Sequence, residues 1–188
     1  DEEAVLVEPL AAAYEILEQV HLAPTHKVLV LGDGKLGLLC AFVLNLAGLE
    51  VTLCGNHPGK LRIASGQGIA TILRKDLAPD RNYDVAIEAT GTAAGFETAR
   101  QCVRPRGLIV LKSTIATGKE MNLTPLVIDE ITLIGSRCGP FGPALRTMTK
   151  GLLPLDQMIT ASYRPDRFKE AFAKAYERGS LKVLFDFR

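Results

Sequence analysis

The sequence predicts an α/β protein built around a doubly wound, six-stranded parallel sheet. Three observations predict this class. Short apolar runs alternate with helix-like segments between residues 27 and 135. The runs are apolar at nearly every position, which is typical of parallel strands covered on both faces. The first run leads directly into a glycine-rich turn and then a helix, as in a βαβ unit.

Each element follows from local sequence signals, namely β-branched apolar runs for strands and apolar spacing with glycine or proline stops for helices. The six strands are predicted over residues 27–31, 51–54, 69–73, 85–89, 108–112 and 131–135. Helices are predicted over residues 9–22, 35–47, 58–65, 93–103 and 125–129. After the Gly/Pro-rich stretch SRCGPFGP, two further helices are predicted over 144–152 and 166–178, and a last strand over 181–185.

The turn after the first strand reads GDGKLG, a G-x-G-x-x-G motif in the context that binds dinucleotide phosphates. In that role Gly32 turns the chain, Gly34 lets a pyrophosphate approach the main chain, and Gly37 lets the helix pack on the strand. The N–H groups of Lys35 and Leu36 then face the phosphates at the positive end of the helix dipole. A tight glycine turn without a ligand is the alternative. The motif predicts a Rossmann-type dinucleotide site.

The second half of this fingerprint is an acidic residue roughly 20 positions later, at the end of the second strand. Here the strand ends in Cys54-Gly55-Asn56-His57, and Glu50 lies at its other end. We therefore expect no carboxylate at this point to repel a 2′-phosphate.

The residues around the second strand end carry hydrogen-bond donors and positive charge. Asn56 is a donor, and His57, Lys60 and Arg62 are cations or potential cations. Together with Gly55 they favour NADP(H) as the cofactor. NAD(H) is the alternative, because Asn56 can also bond to ribose hydroxyls.

Small or hydroxylated residues follow three later strands, at the edge where this fold binds ligands. They would let a flat ring and its ribose lie close to the sheet, although each is also an ordinary loop residue. These candidate cofactor contacts are Thr90, Gly91, Lys112, Ser113, Ser136 and Arg137.

Composition excludes several other functions. The net charge is +1, which gives no basic excess to attract nucleic acid or an anionic membrane surface. No apolar run approaches the roughly 20 residues needed to span a bilayer. The four cysteines, Cys40, Cys54, Cys102 and Cys138, lack metal-site or redox spacing. We expect them to be reduced thiols in a cytoplasmic protein.

Motifs along most of the chain resemble the cofactor-binding half of a zinc-type medium-chain alcohol dehydrogenase, in the medium-chain dehydrogenase/reductase superfamily. They occur in that family's order: EPL near the start, the glycine loop, HPGKL, EATGT, RPRGLIVL and ITLIGSR. The glycine loop is shared by many families. EPL and EATG are more specific and favour the zinc-dependent branch over quinone reductases.

The resemblance implies an NAD(P)-dependent oxidoreductase that transfers hydride between nicotinamide and an alcohol or carbonyl. In this family zinc and the chemistry belong to an N-terminal catalytic domain, which we expect to lie outside these 188 residues. This chain would then bind cofactor without turning over substrate, and it carries no catalytic residue. By resemblance, Glu8 of EPL is a zinc ligand in the full-length enzyme; a surface carboxylate before a helix is the alternative.

The resemblance also predicts the domain organisation. Residues 1–23 form a linking helix, 24–140 the dinucleotide-binding domain, and 141–188 a segment that partly packs on the catalytic domain. Its apolar face, including Phe168, Phe172 and Leu184, is expected to be partly exposed. The edge strand at 131–135 is expected to join two subunits in a homodimer.

Two other classes of function remain open from the residues alone. A methyltransferase also places a glycine-rich loop after its first strand, but it needs an acid at the second strand end and an added antiparallel strand. A non-catalytic module that senses NAD(P)H would need only the cofactor site. An upstream segment with zinc-ligand spacing would favour the enzyme.

Overall fold

Six strands form one parallel sheet in the computed structural model, which describes residues 2–114 and 122–188. The strand order is β3-β2-β1-β4-β5-β6, and every pairing in this sheet is parallel. The strands are β1 (Lys27–Leu31), β2 (Glu50–Gly55), β3 (Ala70–Leu73), β4 (Tyr83–Glu88), β5 (Val103–Leu111) and β6 (Thr132–Gly135). The predicted six-stranded parallel sheet is confirmed. A methyltransferase requires an added antiparallel strand, and the described sheet has none.

Helices cover both faces of this sheet. They are α1 (Val7–Gln19), α2 (Lys35–Leu46), α3 (Pro58–Ser65), α4 (Ala93–Cys102), α5 (Thr124–Ile128), α6 (Phe141–Thr149) and α7 (Phe168–Tyr176). Val28 and Val30 of β1 face a core shared with α1, α2, α3 and α6, whereas Leu29 and Leu31 face a second core with α4 and α5. Because alternate residues of a strand point to opposite faces, β1 must be apolar at successive positions, as its sequence shows.

Helix α1 is an integral part of the larger core. Leu6, Leu10, Ala13 and Ile16 are fully buried, and the helix packs against α2 and α6. A 3₁₀ segment, Glu2–Leu6, precedes it. The helix begins at Val7, and Pro9 is tolerated in its first turn because the N–H that proline lacks would have no intrahelical partner there.

The C-terminal region contains a strand that the sequence analysis missed. Ile159–Tyr163 forms β7, which pairs in parallel with β8 (Lys182–Phe185) in a separate two-stranded sheet. The segment ITASY is short and rich in small polar residues, so its apolar pattern is too weak to identify it. As expected, Phe168 and Phe172 are exposed, at 51% and 55%, and Leu184 is partly exposed.

Strand β6 lies at the edge of the large sheet, as predicted. Leu133 on this strand and Val127 and Ile128 at the end of α5 are large exposed apolar residues. Within the described residues, no helix is long and apolar enough to cross a membrane.

Candidate dinucleotide-binding site

The carboxyl ends of five strands meet at one edge of the sheet. Leu31 at the end of β1 pairs with Cys54 of β2 and Glu88 of β4, and Glu88 pairs with Leu111 of β5. Leu111 in turn pairs with Gly135 of β6. The strand order reverses between β1 and β4, and this is the position where doubly wound sheets form a ligand crevice.

The glycine loop between β1 and α2 needs two of its glycines for the fold itself. Gly32 has a φ of +113°, and a Cβ there would lie 2.7 Å from the carbonyl oxygen of Ala89. A Cβ on Gly37 would overlap the carbonyl oxygen of Gly32. These two positions therefore fix the turn and the close approach of helix to strand, as the sequence predicted.

Gly34 differs from the other two glycines of the loop. Its φ of −74° suits any residue, and a Cβ built there meets no atom within 4 Å. Nothing in the fold requires glycine at this position. The main chain at Gly34 instead faces open space, which a close-packed ligand can use.

The start of α2 presents free main-chain donors beside this space. The first intrahelical bond runs from Leu38 N to Gly34 O at 3.0 Å, so the N–H groups of Lys35, Leu36 and Gly37 precede it. Partial positive charge at such a helix start attracts phosphate.

Lys35 adds a side-chain cation at this end of the helix. Burial lowers the pKa of its ammonium, the charge of Lys182 lowers this pKa further, and Glu8 opposes both effects. Glu8 is exposed near the start of α1, and its negative charge acts to raise the pKa of Lys35.

A carboxylate does lie at the end of β2, contrary to the expectation from sequence. It belongs to Asp33, which is only 6% exposed. Asp33 Oδ2 accepts hydrogen bonds from the main-chain N–H groups of Asn56 at 2.7 Å and His57 at 2.6 Å. The His57 Nδ1 lies 3.0 Å from both carboxylate oxygens.

The expectation was wrong because the acid at the end of β2 comes from the glycine loop and not from β2 itself. Gly32 N donates to Cys54 O at 2.9 Å and holds the glycine loop against the end of β2. This contact places the Asp33 side chain next to Gly55. A Cβ on Gly55 would overlap the Asp33 side chain. Two features of the sequence together indicate this arrangement: an acid inside the glycine loop, Asp33, and a glycine at the usual position of the acid, Gly55.

Glu88 organises the loop that follows β4. It is fully buried, and its Oε1 accepts a hydrogen bond from Thr90 N at 2.7 Å and another from the Thr90 hydroxyl. The Ser113 hydroxyl donates to Oε2 and accepts from Gly91 N at 2.9 Å. Thr90, Gly91 and Ser113, three of the candidate cofactor contacts, are therefore brought together around one buried carboxylate.

Lys112 has a different environment from the one expected of a cofactor contact. Its ammonium is buried and donates to Ala12 O at 2.6 Å, Ser136 Oγ at 2.9 Å and Arg137 O at 3.2 Å. An ammonium has three N–H donors, and all three are used within the protein. Lys112 and Ser136 thus join β5 and β6 to α1, while the Arg137 side chain is exposed.

Two other candidate residues lie on α3, outside the Asp33 network. Lys60 is buried, and Arg62 is exposed. Neither makes a hydrogen bond to Asp33 in the described structure, where the partners of its carboxylate are Asn56 and His57. Among the described residues, no group of three or more His, Cys, Asp or Glu side chains is placed to hold a metal ion. Glu8 therefore lacks the partners that a zinc site needs within this part of the protein.

The doubly wound sheet, its glycine loop and the free helix start define a Rossmann-type α/β domain with an open site at its carboxyl edge. A model of the zinc-binding dehydrogenase family matches residues 36–155, more than half of the chain. The chain belongs to this family.

The chain is similar to D-arabinitol dehydrogenase 1 of Uromyces fabae, with 29% identity over 201 residues. That alignment covers 97% of this chain and 58% of the relative, so the chain spans little more than half the length of this relative. It corresponds to the C-terminal, cofactor-binding part of such dehydrogenases.

Two solved structures share the fold. A zinc-binding dehydrogenase of Sinorhizobium meliloti 1021 bound to NADP has a TM-score of 0.87 at 23% identity, covering 98% of this chain and 59% of that one. An Escherichia coli CFT073 protein described as a short chain alcohol dehydrogenase, complexed with NADH, has a TM-score of 0.85 at 20% identity. This second likeness covers 99% of the present chain and 60% of the other.

Proposed function

We propose that this chain is the cofactor-binding part of an NAD(P)-dependent oxidoreductase that acts on an alcohol or a carbonyl compound. The observation that carries the proposal is the open space in front of Gly34, beside the N–H groups that start α2. A pyrophosphate needs this combination of a close main-chain approach and oriented donors. The family and the name of the D-arabinitol relative support an alcohol as the reacting group.

Each part of the site has a role in this proposal. The amides of Lys35, Leu36 and Gly37 hold the pyrophosphate, and the Lys35 ammonium adds a positive charge. Thr90 and Ser113, held by Glu88, lie at the strand ends beyond β1 and contact the nicotinamide half. The bound dinucleotide supplies or accepts the hydride.

The choice between the two cofactors is the finer part of the proposal. The sequence favoured NADP(H) because the end of β2 lacked an acid, and a likeness to an NADP-bound structure agrees with that choice. The carboxylate of Asp33 at this strand end removes the premise, and a likeness to an NADH complex agrees with the alternative.

The catalytic chemistry requires residues beyond this chain. We infer that zinc is held by an N-terminal catalytic domain, because the chain belongs to a zinc-binding dehydrogenase family and spans only 58% of the D-arabinitol relative. Phe168, Phe172 and Leu184 form the surface that this domain would cover. Glu8, near Lys35 at the cofactor edge, would then reach the zinc from this side. The 188-residue chain alone would bind cofactor without turnover.

The assembly and the compartment are further parts of the proposal. The exposed edge β6, with Leu133, supports a homodimer in which two such edges pair. Sedimentation equilibrium at micromolar concentration tests this; a monomer would contradict it. The four free cysteines support a reducing compartment, as in the cytoplasm.

A titration with NADH and NADPH, followed by nicotinamide fluorescence, tests cofactor binding. The Gly34→Ala variant should weaken the binding of both cofactors by about tenfold or more, because its methyl group enters the pyrophosphate space. The melting temperature should change little, since the methyl group meets no protein atom. Gly179→Ala is the matched control, because a Cβ at Gly179 also meets nothing within 4 Å and lies outside the site. Failure of the unmodified protein to bind either cofactor would overturn the proposed function.

A further inference from the structure

We propose that Asp33 selects NAD(H) over NADP(H), because the negative charge of its carboxylate repels a 2′-phosphate from the main-chain donors that the carboxylate already occupies. The inference rests on the proposed dinucleotide-binding function and adds to it a residue that determines cofactor specificity. It assigns the role of the usual β2 acid to a residue inside the glycine loop.

The first step concerns the donors at the end of β2. The N–H groups of Asn56 and His57 are consecutive and converge on a single oxygen, Asp33 Oδ2, at 2.7 and 2.6 Å. Consecutive main-chain N–H groups that converge in this way form an anion-binding concavity. In this protein the bound anion is the side chain of Asp33. A 2′-phosphate at the same place would have to displace it.

The second step concerns charge. Asp33 is 6% exposed, so its negative charge is poorly screened by solvent and salt. A phosphate next to it would be repelled, whereas a ribose hydroxyl can donate a hydrogen bond to it. Asp33 Oδ1 has His57 Nδ1 as its hydrogen-bond partner in the described structure, and a carboxylate oxygen accepts more than one bond. Oδ1 thus has capacity for a ribose hydroxyl.

The third step concerns the cations that sequence analysis assigned to a 2′-phosphate. His57 lies 3.0 Å from both Asp33 oxygens, so its ring is oriented by the carboxylate. Lys60 on α3 is buried, and the remaining cation, Arg62, is exposed. Of these three side chains, His57 is therefore the one that contacts the resident carboxylate in the described structure.

Dissociation constants for NADH and NADPH, measured by nicotinamide fluorescence on the 188-residue protein, test the inference. The unmodified protein should bind NADH about tenfold or more tightly than NADPH. Asp33→Asn keeps an oxygen that can accept from the two N–H groups but removes the charge. This variant should tighten NADPH binding by about tenfold and change NADH binding by less than about threefold. Asp156→Asn removes the same charge at an exposed, distant position and should change neither constant.

A second measurement tests whether the effect of Asp33→Asn arises at the adenosine end of the cofactor. Displacement of bound NADH by 2′,5′-ADP and by 5′-AMP should follow the same pattern: Asp33→Asn should improve the competition by 2′,5′-ADP only. Circular dichroism and the melting temperature check that the variant is folded.

The possible outcomes separate this inference from the proposed function. If the unmodified protein binds NADPH as tightly as NADH or more tightly, the specificity role of Asp33 is wrong while the dinucleotide function stands. The role is equally wrong if a folded Asp33→Asn variant keeps the original ratio. If the variant fails to fold, an unmodified protein that shows no preference for NADH still overturns the role of Asp33. Binding of neither cofactor would overturn the proposed function and the inference together.

Discussion

The carboxylate of Asp33 occupies the space that a side chain at Gly55 would need. A Cβ built on Gly55 would overlap Cβ and Oδ2 of Asp33, which bonds to the two residues after Gly55. The two positions therefore depend on each other: an acid at 33 requires glycine at 55. In the common arrangement of this fold, the acid is instead on the second strand.

The first prediction is that the acid can be moved between these positions only by a paired change. Gly55→Asp alone should lower the free energy of unfolding by about 1–3 kcal/mol, because the new side chain overpacks against Asp33 and adds a second carboxylate beside it. The double variant Asp33→Gly with Gly55→Asp, which removes both Cβ and the carboxylate at position 33, should recover most of this loss and still favour NADH. Urea denaturation and cofactor titration check both parts.

The outcome against this dependence would be a Gly55→Asp protein as stable as the unmodified one. A double variant that favours NADPH would instead show that position 33, and not merely the presence of an acid, determines the preference. Asp33→Gly alone serves as the control for loss of the hydrogen bonds from Asn56 and His57.

The difference between expectation and structure at this site has a physical cause. Sequence patterns report neighbours along one strand or helix, and they located β1, α2 and α3 with the starts of all three correct. The contact between Asp33 and Gly55 crosses from one loop to another. It depends on the bond from Gly32 N to Cys54 O that joins the two strand ends, so periodicity along either segment could not reveal it.

The environment of Lys112, a charged residue at a strand end, likewise depends on a contact between separate segments that the local sequence does not reveal. Its position predicted a cofactor contact, but the strand ends also face α1, whose placement follows from the packing of the larger core. The α1 carbonyl at Ala12 takes one of its donors. The missed strand β7 is a third case, since the strand that pairs with it in the described structure, β8, follows about twenty residues later.

The second prediction is that Lys112 supports the fold and does not bind the cofactor. Lys112→Met should lower the free energy of unfolding by about 2 kcal/mol, because the buried acceptors at Ala12, Ser136 and Arg137 lose their donor. The dissociation constants for NADH and NADPH should stay within about twofold of the unmodified values. Lys169→Met, at an exposed position, controls for loss of one charge. A large loss of affinity in a stable Lys112→Met protein would restore the cofactor role.

The third prediction concerns the buried carboxylate of Glu88. Glu88→Ala leaves Thr90 N and the hydroxyls of Thr90 and Ser113 without their acceptor, so we expect a loss of about 2–4 kcal/mol in the free energy of unfolding. Glu88→Gln keeps one carbonyl oxygen, and the Ser113 hydroxyl can reverse its direction, so the loss should be about 1 kcal/mol. Urea denaturation measures both, with Glu18→Gln as the exposed control. Equal losses in the two Glu88 variants would show that the charge, and not the acceptor oxygen, holds the loop.

The fourth prediction concerns the thiols, and it follows from burial. Burial raises the pKa of Cys40 to about 12 and that of Cys54 to about 11, and it also raises the pKa of Cys102. Since the thiolate is the reactive form, these three should stay unmodified by a disulfide reagent at pH 8, whereas the exposed Cys138 reacts. We expect one modified thiol per native chain and four in guanidinium chloride. Cys138→Ser should abolish the reaction of the native protein. Modification of a second thiol in the folded protein would show that one of the two hydrophobic cores opens on the timescale of labelling.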